Sequence, residues 1–219
     1  MKERPVIFNG EMVRSILEGR KKQARYIVTP QPINSKVGMV NACYCGHPEL
    51  WLVDGDVGSY TCNGLIAPEW LCPFGVIGDR LWVRETFAIG LCTESTLAYK
   101  ATHKPDDLEE GWFEKIEWKR SSHMPRWASR INLEITGVRV ERLKDITEED
   151  ASYEGMSFTD YRLDRFNQQR AGWLWKKSSK YEECLQSARS AFGNLWESIH
   201  SEESWNANPL VWVLEFKRL

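Results

Sequence analysis

Residues 79–89 of the chain read Asp-Arg-Leu-Trp-Val-Arg-Glu-Thr-Phe-Ala-Ile, and this stretch predicts a β-strand. Apolar and polar side chains alternate along it, which is typical of a strand that buries one face. Leu81 and Val83 fall on one face, whereas Trp82 and Arg84 fall on the other. The pattern therefore predicts a sheet that packs one side against a core.

Further strands and helices are predicted on either side of this stretch. Alternating patterns predict strands at 5–8, 96–101, 130–143 (as two strands broken near Gly137) and 210–217. Helical spacing and capping residues predict helices at 10–18, 147–155 and 181–200. Short strands with a few helices between them indicate an α+β class, because parallel α/β folds alternate the two regularly.

Length and composition limit the class of protein. The chain has 219 residues, which at about 150 residues per domain predicts a single domain over 1–219, with elaborations at about 29–78 and 157–190. The formal net charge is -2, which excludes a globally basic nucleic-acid wrapper but not a local basic patch. We expect a cytoplasmic protein with no membrane partner, because no apolar stretch reaches the roughly 18 residues of a membrane span. We also expect a monomer.

Cysteine and histidine residues in the 29–78 segment raise the question of a metal. Cys43, Cys45, His47 and Cys62 have the donor types of a zinc site, with Cys72 downstream. Cysteines in a cytosolic chain are usually free thiols. We predict no cofactor and keep zinc at these four residues as the alternative.

Four separated blocks together resemble a known family. They are Gly-Arg-Lys-Lys-Gln-Ala-Arg at 19–25, Gly-Asp-Arg-Leu-Trp-Val-Arg-Glu at 78–85, Thr147–Met156 and the strand at 211–217. In this order they resemble ASCH domains, a branch of the PUA-like RNA-binding fold. The likeness is closest to the longer ASCH proteins encoded by phages and prophages of enteric bacteria, which also carry segments similar to 72–75 and 123–130. The resemblance implies a small PUA-like β-barrel.

The resemblance also implies a site. Some bacterial ASCH enzymes hydrolyse the amide of N(4)-acetylcytidine with a lysine, a threonine and a glutamate, which match Lys21, Ala24 and Glu154. Neighbouring cations and burial lower the pKa of a lysine, so Lys21 suits general-base or nucleophilic chemistry. Alanine has no hydroxyl, so hydrolysis would need water activated by lysine, or a hydroxyl from another residue. Three residues could supply that hydroxyl: Ser129, Thr86 and Ser122. The alternative is that Lys21 and Glu154 form a structural salt bridge.

Other residue types suit a nucleic-acid ligand. Tryptophan stacks on bases, arginine binds phosphates or base edges, and glutamate accepts a hydrogen bond from an exocyclic amine. On these grounds we predict eight ligand-binding residues: Arg20, Arg25, Trp82, Arg84, Glu85, His123, Arg126 and Ser129. The alternative for Trp82 is a place in the core, with Arg84 and Glu85 paired to neighbours.

Three classes of function remain open. The first is a binding module for RNA or for a nucleoside or nucleotide, in a cleft centred on Lys21. The second is an enzyme in the same cleft, either an amidohydrolase acting on an acylated cytidine or a ribonuclease. The third is a phage accessory protein that binds a host protein through the two elaborations. A phage-encoded protein would act in the cytoplasm of its bacterial host.

Overall fold

One mixed sheet joins strands that are far apart in the sequence. The computed structural model describes residues 1–29, 31, 37–40, 50–53, 72–90, 97–104, 116–163, 169–176 and 181–219. The five strands of the sheet are, in spatial order, β1 (Glu3–Ile7), β5 (Arg80–Arg84), β8 (Asn132–Arg142), β11 (Leu210–Arg218) and β2 (Gln23–Ile27). β1 runs parallel to β5, and the other three pairings are antiparallel. Together with the helices, this sheet confirms the predicted α+β class.

Three antiparallel pairs accompany the sheet. They are β3 (Val37–Val40) with β4 (Leu50–Val53), β6 (Phe87–Ile89) with β7 (Leu97–Tyr99), and β9 (Ser157–Leu163) with β10 (Gln169–Leu174). The β6–β7 pair confirms the strand predicted at 96–101 and places it beside the end of the 79–89 stretch. The β9–β10 pair lies within the 157–190 elaboration, for which the sequence predicted no element before the helix.

The described α-helices are α1 (Gly10–Leu17), α2 (Glu148–Tyr153), α3 (Ala188–His200) and α4 (Glu202–Ala207). Two of these four described helices, α1 and α2, begin at side-chain caps that the sequence indicates. The Asn9 side chain accepts a hydrogen bond from the Met12 N–H at 2.9 Å, and the Thr147 hydroxyl accepts one from the Asp150 N–H at 3.0 Å. These bonds satisfy backbone donors that a first helical turn leaves unpaired, so the predicted starts of α1 and α2 are confirmed.

Three predicted elements differ from the structure. The strand predicted over 79–89 is divided into β5 and β6, which belong to different sheets. The helix predicted from residue 181 begins only at Ala188, because Leu185 exchanges backbone hydrogen bonds of 2.8 and 3.0 Å with Trp173 and is therefore extended. The region 130–143 contains one strand, β8, rather than two. Glu215 lies opposite Gly137 and Phe216 opposite Ile135, so the extra residue between them forms a bulge instead of ending the strand.

Both faces of the sheet are covered at β11, by different helices. Leu214 and Phe216 of β11 point to a core that includes Val13 and Ile16 of α1. Val211 of the same strand points the other way, into a core that includes residues of α2 and α3. No helix in the described ranges is both long and apolar enough to cross a bilayer.

Candidate functional site

A buried ion pair joins the two residues that the sequence singles out for chemistry. The Lys21 Nζ donates to Glu154 Oε2 at 2.5 Å and to the Glu154 carbonyl oxygen at 3.0 Å. The two side chains are only 1% and 3% exposed. Lys21 lies just before β2 and Glu154 caps the C-terminus of α2, so the fold brings together residues that are 133 positions apart.

Backbone contacts between the ends of α1 and α2 position this pair. The Lys21 N–H donates to the Ser15 carbonyl at 3.0 Å, and the Lys22 N–H donates to the Tyr153 carbonyl at 2.7 Å. Gly155 follows Glu154 with φ +105°, a conformation that glycine adopts without a steric penalty. A Cβ atom at Gly155 would lie 3.0 Å from the Ser15 Cβ atom. The close approach of the two helix ends therefore depends on this glycine.

Arg25 is a second buried cation at the same carboxylate. Its Nη1 donates to Glu154 Oε1 at 2.9 Å, and its Nη2 donates to Glu141 Oε1 at 2.7 Å. The Arg25 side chain is 0% exposed. Both Glu154 oxygens therefore accept from a cation, and Arg25 connects Glu154 with β8.

A wider group of charged residues continues from Arg25. Arg139 donates to Glu141 at 3.1 Å and to Asp150 at 3.0 Å, and it also bonds Glu215. Gln23 donates to Asp150 at 2.8 Å. Sequence reasoning missed these residues. The sequence offered one signal, because Arg139 and Glu141 are charged residues on one face of β8. Their partners depend on the strand register, which the sequence pattern does not reveal.

The Lys21 ammonium group has one hydrogen-bond donor left for a ligand. Burial lowers the pKa of Lys21, and the Glu154 carboxylate opposes this shift. A protonated lysine has three N–H donors, and two of them bond Glu154. The third has no hydrogen-bond acceptor among the described residues, so it can serve an acceptor on a ligand.

A largely apolar cavity of about 310 Å³ adjoins the ion pair. Its lining residues come from β1, α1, β2, the end of α2, and α3. They are Ile7, Phe8, Asn9, Met12, Lys21, Ala24, Arg25, Tyr26, Glu154, Phe192, Leu195, Trp196, Ile199 and His200. This volume is within the range of small-molecule sites, and the wall is rich in aromatic rings.

Within the part of the chain that is described, the cavity wall includes an unpaired tyrosine hydroxyl, at Tyr26, and a stacked imidazole, at His200. The buried Tyr26 hydroxyl has no hydrogen-bond partner among the described residues, and burial raises its pKa so that it stays protonated. His200 stacks on Trp196 with ring centroids 4.3 Å apart, and burial lowers the pKa of its imidazole. An unpaired buried hydroxyl costs about 1–3 kcal/mol, which an acceptor on a bound ligand or a water would relieve.

The three hydroxyl groups expected to replace a threonine at position 24 do not line the cavity. Ala24 lines the cavity and is 3% exposed. Ser129 instead donates to the Val83 carbonyl at 2.8 Å, and Thr86 lines a neighbouring depression. Ser122 is not among the lining residues of the cavity. Tyr26 carries the only hydroxyl among the described residues that line it.

Glu85 lies in that neighbouring depression, of about 440 Å³, which shares Ile7, Phe8 and Asn9 with the cavity. Arg130 binds the Glu85 carboxylate through two hydrogen bonds of 2.8 and 2.9 Å. The cavity beside Lys21 and the depression beside Glu85 therefore adjoin each other.

The other predicted ligand-binding residues lie outside the cavity. Arg20 bonds Glu18 at 2.6 Å and the Gly155 carbonyl. His123 is exposed in a 3-10 turn. Trp82 is 8% exposed, and the Cζ atoms of Arg84 and Arg126 lie 4.7 and 5.8 Å from its ring centroid.

The zinc prediction falls outside the described residues. Cys43, Cys45, His47 and Cys62 are all in ranges that the structure does not describe. Within the described ranges, no group of three or more His, Cys, Asp or Glu residues is placed to hold a metal ion.

Comparison with known protein families, with curated proteins and with solved structures finds no match to this chain. The geometry and the sequence pattern are therefore the basis for assigning a function.

Proposed function

We propose that this chain is an ASCH-type protein, with a PUA-like β-barrel, that binds a nucleobase in the Lys21 cavity. The observation that carries the proposal is a buried lysine with one unassigned N–H donor at the wall of an aromatic cavity. The base belongs to RNA or to a modified nucleoside. A PUA-like barrel would close the sheet β1-β5-β8-β11-β2 by bringing its two edge strands, β1 and β2, together.

The wall of the cavity suits the chemistry of a base. Bases splayed out of a helix stack on aromatic side chains and are read through hydrogen bonds to their edges. Phe8, Tyr26, Phe192 and Trp196 offer apolar ring surface. Lys21 donates to a ring carbonyl, while Glu154 has lone pairs left to accept from an exocyclic amine. This combination favours a cytosine-type ligand.

Isothermal titration tests the proposal. Wild-type protein is titrated with cytidine, N(4)-acetylcytidine and short RNAs, alongside Lys21→Met. The matched control is Lys22→Met, because Lys22 is the adjacent lysine but is exposed. We expect wild type and the control to bind and Lys21→Met to lose at least tenfold in affinity, equivalent to about 1.4 kcal/mol. Equal binding by both variants, or no binding by folded wild type, would contradict the proposal.

Hydrolysis in the same cavity is a second candidate. The lowered pKa of Lys21 favours it, because a lysine closer to neutral pH is a better general base. Alanine at position 24 counts against the threonine-dependent form. An amidohydrolase would release acetate from N(4)-acetylcytidine, whereas a ribonuclease would shorten RNA, so product analysis in the titration samples separates the two reactions from binding alone.

Binding of a host protein remains the third proposal. It would use the elaborations at 29–78 and 157–190, of which the β9–β10 hairpin is one described part. Phe158 on that hairpin is 59% exposed and packs edge-on against Trp173 at 5.6 Å. A pull-down from a bacterial lysate with Phe158→Ser as control tests this proposal, and recovery of no stoichiometric protein would contradict it.

A further inference from the structure

A row of arginines lies on the outer face of β5, beside the Lys21 cavity. Arg80, Trp82 and Arg84 alternate along the strand with residues of the core, so all three share one face. Arg126 joins them from a 3-10 turn, with its Cζ atom 5.8 Å from the Trp82 ring centroid. We call these three arginines and Trp82 the arginine face.

Two of the arginines lack a partner for a buried donor. The Nε atoms of Arg80 and Arg84 are buried and have no hydrogen-bond acceptor within the described ranges. Arg126 differs, since its Nε donates to Glu3 at 3.0 Å. A buried donor without an acceptor destabilises the free protein. Within the described residues, neither Arg80 nor Arg84 forms a salt bridge, so both guanidinium groups are available to pair with an anionic ligand.

The spacing of the arginines favours an extended ligand with repeated charges. A strand rises about 3.3 Å per residue, so the Cα atoms of Arg80 and Arg84 are about 13 Å apart. Two guanidinium groups at this spacing do not share one phosphate. Arg126 adds a third cation across the strands, since it bonds Glu3, the register partner of Arg80, and Asn132, the register partner of Trp82. Cations spaced in this way match successive phosphates of one polynucleotide strand.

The arginine face continues to the cavity. Ile7 of β1 is the register partner of Arg84, is 50% exposed, and lines the Lys21 cavity. Trp127 follows Arg126 and is 66% exposed, so it offers a free ring on which a base can stack. A strand that lies on the arginine face would therefore reach the mouth of the cavity.

We propose that the arginine face binds the phosphate backbone of a single-stranded nucleic acid. The same strand would place one base in the Lys21 cavity, a part of the inference that rests on the proposed function. Aromatic rings beside the cations favour a polynucleotide over an acidic polypeptide, which has no bases to stack. The ligand is then a polymer rather than a free nucleoside.

Fluorescence anisotropy with a labelled RNA of about eight nucleotides tests this inference. Affinity is measured between about 50 and 200 mM salt for wild type, for the double variant Arg80→Gln/Arg84→Gln and for Arg189→Gln. Arg189 is a suitable control because it is exposed on α3 and donates to a backbone carbonyl. Thermal unfolding verifies that each variant is folded.

We expect the double variant to lose on the order of tenfold in RNA affinity at low salt. Two lost phosphate contacts reduce the slope of log K against log salt by about 1.4, since each contributes about 0.7 on a single strand. The Arg189 variant should match wild type. Cytidine affinity should be the same in all three proteins, because the arginine face does not line the cavity.

Other outcomes separate this inference from the cavity proposal. Wild-type RNA affinity in the double variant, or equal binding of a polyglutamate of the same charge, would overturn the arginine face as a nucleic-acid site. Cytidine binding without RNA binding would likewise overturn it and leave the cavity proposal standing. Arginine-dependent RNA binding without cytidine binding would support the face and contradict the cavity proposal.

Discussion

Lys21 and Glu154 form an ion pair that is almost entirely removed from solvent, with their side chains 1% and 3% exposed. Glu154 also accepts from Arg25, so this one carboxylate serves two buried cations. Removing one member of such a group leaves an uncompensated charge in a medium of low polarity. The two residues should therefore respond unequally to substitution.

Glu154→Gln should destabilise the protein more than Lys21→Met does. The glutamine leaves Lys21 and Arg25 without their shared carboxylate, and breaking a buried pair in this way costs about 3–5 kcal/mol. In Lys21→Met, Glu154 keeps Arg25 as its partner. Chemical denaturation of both variants and of the double variant measures the coupling between the two residues.

Ligand titration of the same variants distinguishes a structural role from a functional one. Reduced free energy of unfolding with unchanged ligand affinity in Lys21→Met would identify the pair as a structural salt bridge. Loss of affinity in a variant that remains folded would support a role in binding.

Ala24→Thr should create or raise turnover of N(4)-acetylcytidine if the cavity hydrolyses amides as the ASCH enzymes with a lysine, a threonine and a glutamate do. The side chain at position 24 lines the cavity, and threonine supplies the hydroxyl that alanine lacks. Ala24→Val is the matched control, because valine has nearly the shape of threonine without the hydroxyl. Chromatography of the nucleoside products measures the rate. Equal rates in the two variants would exclude a role for a hydroxyl at this position.

Gly155→Ala should destabilise the protein more than Gly78→Ala. Both glycines have positive φ, +105° and +88°, which costs an alanine about 1–2 kcal/mol. Only at Gly155 would the new Cβ meet other atoms, 3.0 Å from the Ser15 Cβ and 3.3 Å from the Lys21 Cβ. Thermal unfolding of both variants gives the difference that the contact causes.

Ligand affinity should also fall in Gly155→Ala alone, because the added methyl group displaces Lys21. A Gly155→Ala protein that matches Gly78→Ala in stability and in affinity would show that the ends of α1 and α2 can move apart freely.

Asp79→Asn should weaken the dependence of stability on acid pH. The Lys2 N–H, which donates to Asp79 at 2.6 Å, holds the pKa of this carboxyl below its usual range, and Arg4 at 3.0 Å lowers it further. A lowered pKa in the folded state contributes stability above the unfolded value of about 3.9. This contribution disappears as pH falls through the lowered pKa.

Denaturation at a series of pH values below about 5 measures the effect. Wild type should lose stability on acidification more steeply than Asp79→Asn, and the variant should be less stable than wild type near neutral pH. Parallel curves for the two proteins would show that Asp79 contributes nothing to the acid response.

Local signals predicted much of the fold. Alternation identified β5 and β11, and the capping residues Asn9 and Thr147 identified the starts of α1 and α2, because each depends on neighbours within a few positions. The start of α3 was predicted seven positions too early, since the pairing of Leu185 with Trp173 is a contact between separate segments. Apolar spacing alone does not contain that information.

The site was predictable in its chemistry but not in its geometry. Lys21 and Glu154 were expected to meet and do so. Arg25 was expected to bind a ligand, and it does line the cavity. Its bond to Glu141 was not foreseen, because it depends on β11 lying between β2 and β8 in the sheet. The aromatic wall from α3 was also missed, since Phe192 and Trp196 fit the spacing of an ordinary core helix.

The central position of β11 has a consequence for how the chain folds. β11 separates β2 from β8, so β2 has no neighbour in the sheet until residues 210–218 are present, and Gln23 bonds Glu215 across 192 positions of sequence. Contacts of such long range slow folding, because a large loop must close before any strand pairing rewards it. During translation, the segment that carries Lys21 and Arg25 should therefore remain without its sheet partner while nearly 190 further residues are made. A nascent chain would acquire its cavity late, in one step with the docking of β11.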